Sequence, residues 1–126
     1  MGGAADFTLP SLVAGGSGVV IGLGNIVPKL CVRVFDLWKA GQWKEAQRVQ
    51  AILSEADLAV LEGGVTGTKS GLQSWFGYGG RPRLPLPEAS EKEAAKFRKI
   101  LAGAVTLESG LQNRMDTVLN AFEGRP

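Results

Sequence analysis

The sequence predicts a chain of α/β type that is mostly helical, with one inner strand short of neighbours. Three observations predict it. Apolar residues recur at helical spacing in about five stretches, most of them closed by glycine. Val19, Val20 and Ile21 are consecutive β-branched residues, apolar on both sides, which suits a strand buried on both faces of a parallel sheet. Such a strand needs a partner on each edge to satisfy its backbone. No stretch after residue 22, and only a scrap before residue 7, offers one.

In chain order, Asp6 is placed to cap a short helix over residues 7–14, with Gly15-Gly16 closing it. Pro10 lies near the start of that helix, where a missing N–H costs little. The strand follows, then the turn Gly22-Leu23-Gly24-Asn25. Pro28 opens a helix with the stripe Cys31, Val34, Phe35 and Trp38, which turns Arg33, Asp36 and Lys39 away; Gly41 ends it. Trp43 begins a longer helix striped by Ala46, Val49, Leu53, Ala56 and Val60, and Gly63-Gly64 stops it. A shorter helix covers residues 68–76. The stretch GYGGRPRLPLPEAS then carries prolines at 82, 85 and 87, so residues 77–89 form a loop. Ser90 with Glu93 makes a capping box for a helix striped by Ala94, Phe97, Leu101 and Ala104. Gly110 breaks that helix, and Leu111, Met115, Val118 and Phe122 stripe a last one.

Composition removes several function classes. Histidine is absent, so the commonest general base and the commonest metal ligand are both missing. With Cys31 as the sole cysteine, a usual zinc site and the Ser-His-Asp and Cys-His arrangements are excluded, and no metal is expected. The formal charge of +2 comes with no basic block, so no nucleic-acid partner is expected. The longest nearly apolar run, residues 18–28, falls short of the roughly 18 residues of a membrane span, so no membrane partner is expected either. One cysteine fits a reducing compartment; the expectation is an intracellular chain, cytoplasmic or mitochondrial. As a dinucleotide loop the glycine turn fails, because Val27 stands where a third glycine belongs and no second βαβ half follows. Its glycines serve a tight turn.

Four segments carry a resemblance in order and spacing: GGAADF, LPSLVAGGSGVVIGLGNIVPKL, AGQWKEAQRVQ and WFGYGGRPRLPLPEAS. Over roughly residues 2–101 the chain resembles the carboxy-terminal part of the dihydrodipicolinate synthase and N-acetylneuraminate lyase family, the pyruvate-dependent class I aldolases. The resemblance implies a fragment of a (β/α)8 TIM barrel with carboxy-terminal helices, working through a Schiff base between a barrel lysine and a 2-oxo acid such as pyruvate. It implies that residues 1–41 hold the end of strand seven, a helix, strand eight (Gly18 to Gly22) and helix eight. Residues 42–107 would be the helical extension with its 77–89 loop, and residues 108–126 an extra helix.

By the same resemblance Gly2 and Gly3 fall in a substrate loop, Asp6 keeps a carboxylate there, and Gly22 and Asn25 line the pocket at the top of strand eight. Ala4 and Ala5 stand where polar residues are common. Asp6 and Asn25 are equally placed as helix caps. Arg83, Pro85, Leu86 and Lys69 match structural positions of the tail. The imine-forming lysine and its tyrosine fall upstream of Met1, while lysines 29, 39, 44, 69, 92, 96 and 99 lie on helices and Tyr78 lies in the loop. No catalytic residue and no cofactor are therefore expected, and the chain alone should be inactive. Its expected partners are a complementing amino-terminal part, with 2-oxo acid bound only when the barrel is complete, or a second copy. The alternative is a small non-enzymatic helical interaction module.

Overall fold

In a computed structural model, residues 1–111 are described. A 3-10 turn over Ala5–Phe7 leads into α1 (Thr8–Val13), and a second 3-10 turn over Gly22–Asn25 precedes α2 (Pro28–Lys39). Helices α3 (Trp43–Phe76) and α4 (Glu91–Ser109) complete the described order. The expected last helix, beyond Leu111, lies outside the described residues.

The expected inner strand is reduced to one parallel bridge, between Gly2 and Val19. Gly2 N–H donates to Gly18 O and Val20 N–H to Gly2 O, each at 2.9 Å. Ile21 remains extended (φ −139°, ψ 141°), yet among the described residues no strand forms. The physical reason is the missing neighbour. Val19 turns its own N–H and C=O to the edge away from Gly2, and no ladder meets them there. Burial on both faces is likewise unrealised, since Val20 is 71% exposed.

Two expected caps are corrected. The Asp6 side chain caps neither the first 3-10 turn nor α1; its backbone N–H instead donates to Asp57 Oδ2 at 3.0 Å. Asn25 does not cap α2 either, because its Nδ2 turns back to Gly22 O at 2.9 Å and Val27 is the N-cap. The orphaned donors at the start of α2 are met from a distance. Lys29 N–H reaches Glu108 Oε1 at 3.0 Å and Leu30 N–H reaches Glu108 Oε2 at 2.7 Å, with the carboxylate buried.

The expected phase of α2 shifts too. Leu30, Val34 and Leu37 face the core, whereas Cys31, Phe35 and Trp38 are half-buried. Residues 46, 49, 53 and 56 of α3 are buried as expected. The Gly63-Gly64 stop takes the form of a kink, with Gly64 at φ 55°, ψ −137°, after which the helix resumes to Phe76. Below the kink α3 runs tightly against its surroundings: a Cβ at Gly67 would stand 2.3 Å from Ala59 O, and one at Gly71 would stand 2.6 Å from Leu101 Cδ1 on α4. The capping box at Ser90 and Glu93 forms as expected. The 77–89 loop is ordered by Lys69 Nζ on Gly79 O at 2.8 Å and Thr66 Oγ1 on Pro87 O at 2.8 Å. Leu23, Ile26, Leu30, Leu37, Leu53 and Leu101 form the centre of the core between α2, α3 and α4.

Candidate functional site

Parallel pairing of Gly2 with Val19 fixes the geometry of the candidate site. Two segments that run in the same direction, side by side, release their following residues at the same end. Gly3–Asp6 and Gly22–Asn25 therefore emerge together as one rim. Gly3 faces open space, and Asp6, Gly22 and Asn25 are exposed. Gly22 is held close to α3, where a Cβ would come within 2.9 Å of Val60 Cγ1. Gly2 is packed beneath the rim, with a would-be Cβ 2.6 Å from Ser11 Oγ.

Helix α3 fastens the first half of this rim through polar residues set into its apolar stripe. Gln50 Nε2 donates to Ala5 O and to Asp6 O, each at 2.9 Å, while its Oε1 accepts Leu9 N–H at 2.7 Å. Asp57, 1% exposed, takes the N–H of Asp6. Burial pushes its carboxyl above the ordinary aspartate value, opposed by the N–H donors of Asp6 and Ala5. The sequence reading missed Gln50, Asp57 and Glu108. A signal for the first two was present: they lie seven residues apart on the buried stripe of α3, where an unpartnered polar side chain would be costly.

Beside Asn25 opens an apolar groove of about 410 Å³, bordered by Leu12, Val19, Ile21, Cys31, Val32 and Phe35. The Cys31 thiol is pushed up to about 12, first by burial and then by the charges of Glu108 and Asp57, so it is no nucleophile at neutral pH. None of the chain's lysines stands on the two paired segments; all lie on α2, α3 or α4. Lys29 Nζ is engaged with Leu111 O at 2.9 Å and Lys69 Nζ with the tail loop. Among the described residues no cluster of His, Cys, Asp or Glu could hold a metal ion. Among the described residues the rim presents the Asp6 carboxylate and the Asn25 amide, and no lysine stands upon it.

Residues 1–104 match the model of the Dihydrodipicolinate synthetase family. The chain belongs to that family. Among curated members, it is 44% identical over 113 residues to an Emericella nidulans protein named "Probable 4-hydroxy-2-oxoglutarate aldolase, mitochondrial", covering 90% of this chain and 37% of that one. It is 44% identical over 110 residues to the L-threo-3-deoxy-hexylosonate aldolase of Aspergillus niger, covering 87% and 33%. The chain thus spans little more than a third of the family members it matches. A solved dihydrodipicolinate synthase family protein from Coccidioides immitis superimposes with a TM-score of 0.77 at 25% identity, over 89% of this chain and 39% of that one. A dihydrodipicolinate synthase structure from Thermus thermophilus gives 0.72 at 29% identity, over 80% and 35%. The described fold is therefore a fragment of the family's barrel. Among the described residues no helix is long and apolar enough to cross a membrane.

Proposed function

We propose that these residues are the carboxy-terminal portion of a class I, Schiff-base aldolase acting on 2-oxo acids, and that they are inactive without the remainder of the barrel. The observation that supports the reading is the Gly2–Val19 bridge: it brings two glycine-bearing loops out at one end, which we read as a substrate rim, while every lysine lies elsewhere on helices. Imine chemistry needs a lysine with a depressed pKa beside the bound carbonyl. In this reading that lysine, and the tyrosine beside it, come from outside these residues. Gly3, open on its Cα side, lets substrate approach the backbone closely, with Gly2 packed beneath it as support; Asn25 offers an amide, and Asp6 a carboxylate, to polar groups of the 2-oxo acid. The open edge at Val19 and Ile21, with the apolar groove beside it, receives the neighbouring stave. The names of the curated relatives, aldolases of 4-hydroxy-2-oxoglutarate and of a 3-deoxy-hexylosonate, support a 2-oxo acid with an electron-sink requirement of this kind.

The test is borohydride reduction of the 126-residue chain in the presence of pyruvate, read by intact mass. No covalent increment is expected. A pyruvyl adduct on any lysine of this chain would overturn the claim of inactivity.

A further inference from the structure

The last three turns of α3 carry a polar row that the rim does not use. Thr66, Lys69 and Gln73 lie at i, i+3 and i+7, on one side of the helix. Each of them holds the 77–89 loop. Thr66 Oγ1 donates to Pro87 O at 2.8 Å, Lys69 Nζ donates to Gly79 O at 2.8 Å, and Gln73 Oε1 accepts Gly80 N–H at 3.3 Å. The loop is thus pinned near both of its ends. Between the pins lies a cleft of about 280 Å³, bordered by Thr66, Lys69, Ser70, Gln73, Arg81 and Glu88. Arg81 and Glu88 are exposed and pair with each other at its mouth.

The charges of this cleft do not balance. Arg81 is matched by Glu88. Lys69 is half-buried, its partner is the neutral Gly79 carbonyl, and among the described residues no carboxylate pairs with it. An ammonium has three donors, so Lys69 has donors left over. Gln73 spends its carbonyl oxygen on Gly80, which leaves its Nε2 amide as a further donor. Taking a cation partly out of water without a counter-charge is costly, and a bound anion removes that cost. We propose that the cleft binds a small oxyanion, a carboxylate or phosphate group, on the Lys69 ammonium and the Gln73 amide, with Arg81 at the mouth. Its volume equals that of about nine waters in the liquid, room for phosphate or a short organic acid. The cleft shares no residue with the rim at 3–6 and 22–25, so the proposal stands apart from the aldolase reading.

The test is an NMR titration of the full chain, isotope-labelled on nitrogen. Sodium phosphate is added in one arm and sodium pyruvate in another, each against sodium chloride at matched ionic strength. Saturating shifts are expected at the amides of Gly79, Gly80 and Arg81, and the arm that saturates at lower concentration names the phosphate or the carboxylate. Lys69→Gln should weaken binding by about tenfold or more, the worth of one hydrogen bond to a charged group. That variant also alters a pin of the loop. Glu88→Gln leaves all three pins in place and frees the Arg81 charge, so it should tighten binding about twofold. Lys99→Gln, exposed on α4 outside the cleft, should leave binding unchanged. Shifts no larger than those with chloride, or a Glu88→Gln chain that binds no more tightly than wild type, would overturn the proposal.

Discussion

Glu108 closes helix α2 from 78 residues along the chain, and its two oxygens replace the local cap that the sequence lacks. Truncating it to alanine leaves two donors unpaired in a buried place. Such a loss costs about 2 kcal/mol. Glu108→Ala should lower the urea midpoint by a corresponding amount, and Glu108→Gln, which keeps one acceptor, by roughly half; equal midpoints for wild type and alanine would contradict the capping role. Asp57 makes a different claim. Burial raises its folded value above 3.8, so the folded chain holds that proton to higher pH than the unfolded chain does. The stability linked to this proton is fully present below 3.8 and is lost as pH rises through the raised folded value. Asp57→Asn keeps an acceptor for Asp6 N–H yet does not titrate, so the stability of wild type relative to this variant should fall across that acidic window. A constant difference between the two unfolding profiles would contradict it. Neither residue was legible as a cap in the sequence, because their partners stand 78 and 51 residues away and caps are read only from near neighbours. Ser90 and Glu93 were legible because that cap is closed within one turn.

At the scale of elements, the helices were readable from the spacing of apolar residues, and their facing was readable only where one stripe is present. Helix α3 carries one, so residues 46, 49, 53 and 56 fall inward as expected. Helix α2 carries two, and spacing alone does not say which of them meets the core; Leu30, Val34 and Leu37 do, while Cys31 and Phe35 border the groove. The kink within α3 gives a sharp contrast among glycines. Gly67→Ala would press a methyl onto the backbone carbonyl of Ala59, which is unable to swing away as a side-chain tip would. Gly103 on α4 is exposed, with nothing within 4 Å of a would-be Cβ. Replacing a solvent-facing helical glycine by alanine stabilises by about 1 kcal/mol. Thermal melts should therefore show Gly103→Ala raising the midpoint and Gly67→Ala lowering it by more. The opposite order would refute the close approach of the two parts of α3 across its kink.

For the whole molecule, the strand was legible as a type of sequence and illegible as a structure. Val19, Val20 and Ile21 have the composition of an inner stave, but a ladder is a property of pairs, and Gly2 supplies one partner on one edge only. The rim residues Gly2, Gly3, Asp6, Gly22 and Asn25 were suggested by the family resemblance and not by the local pattern, which reads Gly22 to Asn25 only as a tight turn; the fastening by Gln50 and Asp57 was not legible, being a long-range contact. Val20 at 71% exposure and the open groove beside it mark the flank on which the rest of the family's barrel would lie. The most direct measurement is pyruvate–borohydride trapping on this chain mixed with the amino-terminal portion of the Aspergillus niger aldolase, ending where its match to this chain begins. The expected result is a reduced pyruvyl adduct on a lysine of the added portion, dependent on the presence of this chain, with this chain's own mass unchanged. An adduct on Lys29, Lys69 or any other lysine of this chain, or no adduct on either polypeptide, would contradict the account.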